Sequence, residues 1–269
     1  MALEPRIVRT STLLEFKRSG RKIAALTSYD FLTAAIFDKS GVDVLLVGDS
    51  AADNSLGYDS TLPITLDEMI PFGRAVAKAA ERALVVVDLP FGSYEAGAEQ
   101  ALATGVRVLK ETGAAAVKLE GGARSVEQIR ALVTAGIPVM GHIGFTPQSV
   151  HSLGGFKVQG RGDGASELMA EAKAVQDAGA FAVVLELVPA ELAAEVTKSL
   201  EIPTIGIGAG ADTDGQILVW TDFAGLSGGK PRKFVRRYAQ LAEELASAAS
   251  AYVADVQAKD FPNESESFE

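Results

Sequence analysis

The chain has 269 residues, 48% of them hydrophobic and 22% charged, which is ample for one sizeable core and close to the about 250 residues typical of a single α/β barrel. A formal net charge of −10 argues against nucleic acid or an anionic membrane surface as a partner, because both demand cationic patches. The absence of cysteine excludes disulfides, thiolate metal sites and cysteine nucleophiles, and fits a reducing compartment. The first twenty residues, MALEPRIVRTSTLLEFKRSG, mix charge with apolar residues and lack a continuous apolar run, so no signal peptide is expected. The longest apolar runs, such as 83–87, are far too short to span a bilayer. A soluble, cytoplasmic enzyme is the expectation.

In chain order, strand-like runs rich in Val, Ile, Leu and Ala fall at 23–28, 42–48, 83–88, 115–120, 138–142, 182–187, 204–208 and 216–220. Their near-continuous hydrophobicity is that of parallel strands covered on both faces. Segments of helical period lie between them at 66–80, 96–111, 125–135, 166–178 and 189–200. Thr65 with Glu68 forms a capping box for the first of these, and glycines at 41, 113, 136 and 179 stand where helices stop. Eight strands alternating with helices predict a (β/α)₈ barrel. The rival is an open doubly wound sheet, but the turn after its first strand should be glycine-rich, and Thr27-Ser28-Tyr29-Asp30 is not. A last helix is predicted over about 232–257. The sequence therefore reads as one barrel domain with a C-terminal helix over residues 1–259, and an acidic tail at 260–269, DFPNESESFE, expected to be disordered.

The polar residues that end the strands carry the chemistry. Val47-Gly48 leads into Asp49, Val87 into Asp88, Val117 into Lys118 and Glu120, Met140-Gly141 into His142, and Leu185 into Glu186. All strands of such a barrel point their C-terminal ends to one mouth, where active sites sit. A single acid at a strand end is most often a turn-former or a cap; the set is harder to dismiss, since crowded carboxylates repel and need a counter-charge. Oxygen ligands, without cysteine and with only two histidines, suit Mg²⁺ better than a zinc cage. Asp49 and Asp88 are the candidate ligands. His142, taken alone, reads more readily as a buried, hydrogen-bonded histidine than as a functional one.

Two glycine-rich stretches have open readings. Gly206-Ile207-Gly208-Ala209-Gly210 could bind phosphate through backbone N–H groups or simply make a tight turn. The stretch 154–162, GGFKVQGRG, is either a lid over the mouth or an ordinary exposed connection.

With these segments placed, ten motifs occur in order: TSYD (27–30), VGDS (47–50), GYDSTLP (57–63), DLPFGSY (88–94), VKLEGG (117–122), GHIGFTPQS (141–149), GGFKVQGR (154–161), LELVP (185–189), IPTIGIGAG (202–210) and DGQILVW (214–220). In these the chain closely resembles the ketopantoate hydroxymethyltransferase family. One departure is AADNSLGYDS after VGDS, where many relatives carry a more apolar LGMV-type loop. The resemblance implies a (β/α)₈ barrel, assembly as a homo-oligomer, typically a decamer, and transfer of a hydroxymethyl unit from methylenetetrahydrofolate to 3-methyl-2-oxobutanoate, giving 2-dehydropantoate. Carried over by motif, Asp49 and Asp88 match magnesium-ligating aspartates, and Glu120 the third acidic residue near the metal. Ser50, Asp88, Lys118 and His142 match groups that hold the oxo acid, and Glu186 matches the general base. Two rivals remain: a magnesium barrel of the isocitrate lyase or phosphoenolpyruvate mutase type, which usually carries a cysteine-containing loop, and a non-catalytic barrel that binds a ligand through the 206–210 turn.

Overall fold

Eight parallel strands are hydrogen-bonded in chain order and close on themselves: β1 (Ile23–Thr27), β2 (Val44–Val47), β3 (Leu84–Asp88), β4 (Ala116–Glu120), β5 (Val139–Gly144), β6 (Ala182–Glu186), β7 (Thr204–Ile207) and β8 (Gly215–Leu218), with β8 paired to β1. The computed structural model describes residues 7–268; residues 1–6 of the N-terminal stretch and Glu269 of the acidic tail lie outside the described residues. The chain forms two compact units, the first ending at Val219 and the second beginning at Trp220. Among the described residues, no helix is long and apolar enough to cross a membrane.

The first unit is the (β/α)₈ barrel that the strand rhythm predicts. Its helices are α1 (Thr10–Ser19), α2 (Phe31–Lys39), α3 (Ala51–Ser55), α4 (Leu66–Ala79), α5 (Ala98–Thr112), α6 (Val126–Thr134), α7 (Gly164–Asp177) and α8 (Ala190–Ser199). The capping box of α4 is present: Glu68 N donates to Thr65 Oγ1 at 3.3 Å, and Thr65 N to Glu68 Oε2 at 2.8 Å. Gly113 ends α5 in the left-handed region, φ 80°, where a side chain would be strained. The short α3 is formed by the residues directly after VGDS. Between β7 and β8 there is a loop without a helix. Helices α1, α2 and α3 add to those expected from periodicity. In α2, apolar residues also face outward, Leu32 at 72% and Ile36 at 60% exposure, so its sequence carries no one-sided stripe.

The strand interior is filled by Ile23, Ala25, Val44, Leu46, Leu84, Val86, Ala116, Met140, Ala182, Val184, Ile205 and Ile217, with Val8 and Leu13 from the N-terminal segment packed into the same cluster. Each large side chain buried in this way contributes about 1.5–3 kcal/mol relative to exposure. That apolar filling offsets the cost of the charged layer above it.

The second unit holds α9 (Trp220–Phe223) and α10 (Leu241–Ala258). The last helix begins at Leu241 rather than near Arg232, because the preceding segment spends its backbone groups elsewhere. Tyr238 N donates to Phe223 O at 2.8 Å and Leu241 N to Ala224 O at 3.0 Å, and Arg237 Nη2 donates to Gly229 O at 2.8 Å. Near the C-terminus, Asn263 caps a short 3₁₀ turn at Glu264–Glu266, its Oδ1 accepting from Ser265 N at 2.9 Å.

Candidate active site

Side chains on a strand alternate between faces, so interior positions step by two. Val86, Ala116, Met140 and Val184 lie in the interior cluster; two residues further on stand Asp88, Lys118, His142 and Glu186, and Glu120 is two beyond Lys118. The same period that fills the barrel with hydrocarbon therefore turns the charged residues inward at the C-terminal mouth. Register fixes the neighbours: Asp88 pairs with Lys118, and Glu120 with His142. Asp49 joins them from the turn after β2. All six are buried, with exposures from 1% at Glu120 to 8% at Glu186.

The structure brings all the sequence-predicted residues except Ser50 into one connected group, and places Ser50 next to Asp49. Lys118 Nζ stands 3.0 Å from Asp88 Oδ1 at an angle that leaves this oxygen without a hydrogen bond. The same ammonium lies 3.2 Å from His142 Nδ1. His142 Nδ1 is 3.5 Å from Glu120 Oε1, and its Nε2 is 3.3 Å from Glu186 Oε2. Asp88 Oδ2 accepts from the backbone N–H of Asp49 at 3.0 Å. Ser50 Oγ bonds the buried Tyr29 hydroxyl at 2.7 Å. A Cβ on Gly48 would come within 2.8 Å of that Ser50 oxygen, which explains why the turn after β2 carries glycine.

The group has too much negative charge. Four buried carboxylates (Asp49, Asp88, Glu120 and Glu186) face two cations at most, Lys118 and His142; with all four ionised, four minus two would leave at least two negative charges uncompensated. The consequence is written in the proton affinities. Burial, then Asp88 and Glu120, push Asp49 well above the usual carboxylate range. Burial also raises Asp88, against the opposing pull of Lys118. Glu120 is lowered: burial works against its charge, but His142 and Lys118 outweigh it. Lys118 is held firmly charged; burial opposes this, and Asp88, Glu120 and Asp49 override it. His142 is raised to about 9, burial and Lys118 opposing, Glu120 and Glu186 prevailing. Nδ1 accepts from Lys118 in the neutral ring and donates to Glu120 in the charged one, so the ring's charge decides which partner it serves.

Among the described residues, no three His, Asp or Glu side chains converge as ligands of one ion. The pair Asp49 and Asp88 remains. The excess charge, with Asp88 Oδ1 buried and not hydrogen-bonded, fits a divalent cation that takes one or two carboxylates and completes its shell with water and substrate oxygens. Glu120 is turned to protein donors, accepting from Gln148 N at 2.9 Å and lying beside His142.

Gln148 lies in the GHIGFTPQS segment and Tyr94 in DLPFGSY, and the sequence alone implies no role for either. Gln148 Nε2 donates to Asp49 Oδ2 at 2.9 Å and to Leu89 O at 3.0 Å, and its Oε1 accepts from the Tyr94 hydroxyl at 2.5 Å. Leu187, next to Glu186, has φ 49°, a left-handed conformation that costs of order 1–3 kcal/mol outside glycine. Its carbonyl accepts from Gln159 N at 2.9 Å, tying the 154–162 stretch to the end of β6, and Phe156 of that stretch lies on Phe145, with ring centroids 4.6 Å apart. In the 206–210 turn, a Cβ on Gly210 would meet Ala190 at 2.5 Å and one on Gly206 would meet Thr213 at 2.7 Å, so close packing accounts for these glycines.

Residues 7–264 match the family model of ketopantoate hydroxymethyltransferase. The chain belongs to the ketopantoate hydroxymethyltransferase family. It is 60% identical over 264 residues to the 3-methyl-2-oxobutanoate hydroxymethyltransferase of Leifsonia xyli subsp. xyli, covering 98% of this chain and 95% of the relative. It is 59% identical over 266 residues to the enzyme of that name from Corynebacterium glutamicum, covering 99% of both. Like the relatives so named, it is a hydroxymethyltransferase. Among solved structures it resembles a phosphonopyruvate hydrolase in complex with oxalate and Mg²⁺ (TM-score 0.61, 14% identity, 97% of this chain and 93% of that one). A 2,3-dimethylmalate lyase is similar too (TM-score 0.59, 17% identity, 97% and 92%). At such identities the likeness is one of fold, and the barrels of the rival reading share it.

Proposed function

We propose that the enzyme transfers a hydroxymethyl group from methylenetetrahydrofolate to 3-methyl-2-oxobutanoate, giving 2-dehydropantoate in pantothenate synthesis, with Mg²⁺ held by Asp49 and Asp88. The observation that carries the metal reading is the excess of buried carboxyl groups over cationic side chains at the barrel mouth, centred on two acids at adjacent strand ends. Glu120 belongs to the same acidic group and orients His142. Bound there, Mg²⁺ supplies a Lewis acid toward the charge that develops on the carbonyl oxygen of the oxo acid.

The protein's own groups do the rest. Lys118 and His142 present N–H donors to the oxo acid from neighbouring strands, and Ser50 a hydroxyl from the turn after β2. Glu186 takes the proton from C3; it is the one acid of the group reached only through His142, away from the Asp49–Asp88 pair. The resulting carbanion equivalent attacks the methylene carbon of the folate, breaking its bond to one folate nitrogen, which takes up a proton. One water molecule then displaces the second nitrogen, supplying the hydroxyl oxygen and a proton, so that tetrahydrofolate leaves and the hydroxymethyl group stays on C3. The burial of the whole group keeps bulk water from the carbanion.

We further infer a cytoplasmic homo-oligomer, a decamer on family resemblance. Support comes from α10, none of whose residues is buried, with Leu245, Tyr252 and Val253 each at least half exposed; such apolar exposure marks contact surfaces. Sedimentation at micromolar concentration should give a species several times the 28.0 kDa chain, and a monomer would defeat the inference. The activity is tested by following 2-dehydropantoate formation with each component omitted in turn. Turnover should require the oxo acid, methylenetetrahydrofolate and Mg²⁺; product formed at an undiminished rate in the presence of a chelator would remove the metal from the scheme.

A further inference from the structure

Asp49 reaches the mouth from a turn, not from a strand, so something other than the barrel ladder must aim it. We infer that Gln148 and Tyr94 form a positioning pair that fixes the rotamer of Asp49 for the divalent cation; the inference rests on the metal reading above. The bonds run in one direction. Glu120 N–H donates to the Tyr94 oxygen at 3.2 Å, and the single Tyr94 proton goes to Gln148 Oε1 at 2.5 Å. Burial keeps that phenol neutral and therefore a donor. With its oxygen so engaged, the Gln148 amide can present only its NH₂ to the other side, and both of those donors are used, on Asp49 Oδ2 at 2.9 Å and on Leu89 O at 3.0 Å.

Turned the other way, the amide would set Oε1 against the Asp49 carboxylate and leave Tyr94 facing a donor. Tyr94 thus decides which end of Gln148 meets Asp49, and Gln148 decides which Asp49 oxygen is spoken for. The other Asp49 oxygen takes no hydrogen bond from this pair. Gln148 also holds Glu120 through its backbone N–H at 2.9 Å, so one residue on the β5–α7 connection ties the acids of β2 and β4 together. Gln148 is 6% and Tyr94 2% exposed, so water does not substitute for either contact. A neutral amide suits this place: a cation would compete with the metal for Asp49, and a third acid would add to the excess charge.

Gln148→Met keeps the length and bulk of the side chain but removes its donors; the Gln148 backbone bond to Glu120 survives. Tyr94→Phe keeps Gln148 but releases its orientation. Mg²⁺ affinity is measured by calorimetry on the full chain without substrates, alongside thermal melting. Removing a partner of a metal ligand typically weakens affinity 10–100-fold. Gln148→Met should fall in that range, and Tyr94→Phe should weaken affinity in the same direction by less, because half the amide orientations remain competent. A purely structural role would lower the melting temperature and leave the affinity of the folded protein at the parent value. That result in either folded variant overturns the inference while leaving the metal reading intact. A parent chain that binds no Mg²⁺ overturns both.

Discussion

The backbone N–H of Asp49 donates to Oδ2 of Asp88 at 3.0 Å, so the turn after β2 holds the acid that ends β3. The two acids are therefore not interchangeable. Asp88 is also the 3.0 Å ion partner of Lys118, itself 4% exposed. Asp88→Ala strands a buried ammonium, and breaking one side of a buried pair costs about 3–5 kcal/mol. Asp49 has no cationic partner of its own, and its charge is opposed by burial and by Asp88 and Glu120.

Asp49→Asn should therefore abolish Mg²⁺ binding and turnover while raising the stability of the metal-free protein, by about 1 kcal/mol, a gain of the size usual when a strained functional group is relieved. Asp88→Ala should lose both activity and stability. Urea unfolding in a chelator separates the two. An Asp49→Asn variant that binds Mg²⁺ and turns over like the parent would sink the assignment of Asp49.

At the opposite end of the strands, Asp38 is 6% exposed and accepts from the backbone N–H groups of Glu81, Arg82 and Ala83, the shortest of these bonds being 2.6 Å. It anchors the entry to β3 from the end of α2. Asp38→Ala leaves three donors without their acceptor, at about 1–3 kcal/mol for each buried group left unsatisfied. The expected outcome is a loss of at least about 2 kcal/mol in unfolding free energy with kcat unchanged at 25 °C, since this face of a barrel serves stability. A large fall in kcat in the folded variant would count against that division of labour.

Much of this was legible in the sequence, for a simple reason. Parallel barrel strands are apolar on both faces, and the first charged residue on each marks its C-terminal end; this placed Asp88, Lys118, His142 and Glu186 at one mouth before any coordinates. The helices with one apolar stripe, such as α4 and α5, were equally plain. What escaped depends on tertiary partners. Gln148 and Tyr94 are neutral residues in connections, and their bonds reach across 99 and 54 positions of the chain, so no local pattern announces them. The start of α10 escaped because backbone bonds to Phe223 and Ala224 overrode a helical pattern.

Gly144 offers a test of how tightly the site is held. It ends β5 at φ 87°, and a Cβ there would collide with the carbonyl of Glu186 on the neighbouring strand. The left-handed conformation alone costs a non-glycine residue about 1–2 kcal/mol, and the collision must push the end of β6 outward. Gly144→Ala should lower kcat more than it raises KM for the oxo acid, because the base moves while Lys118 and Ser50 stay. Equal, parent-like kinetics would mean that the β6 end tolerates the shift and that Glu186 is not held closely.

The last test isolates proton removal from the folate. If Glu186 is the base, deprotonation of 3-methyl-2-oxobutanoate precedes attack on the methylene donor, and the enzyme with Mg²⁺ in D₂O should exchange the C3 hydrogen for deuterium with no folate present. Glu186→Gln keeps the shape beside His142 Nε2 but has no basic oxygen, and a neutral ring can still donate to its amide carbonyl. The variant should bind the oxo acid and lose exchange by roughly 10²–10⁴-fold, the usual worth of a general base. Chelating the metal should stop exchange in the parent as well, because the enolate charge would then develop beside acids that already lack a counter-ion. NMR of the C3 proton reads all three samples directly. Parent-like exchange in Glu186→Gln would move the base elsewhere, with His142, whose Nε2 lies 3.3 Å from Glu186 Oε2, the next candidate. No exchange in the parent would require the folate to bind first, which adding a non-reactive folate lacking the methylene carbon would reveal by restoring it.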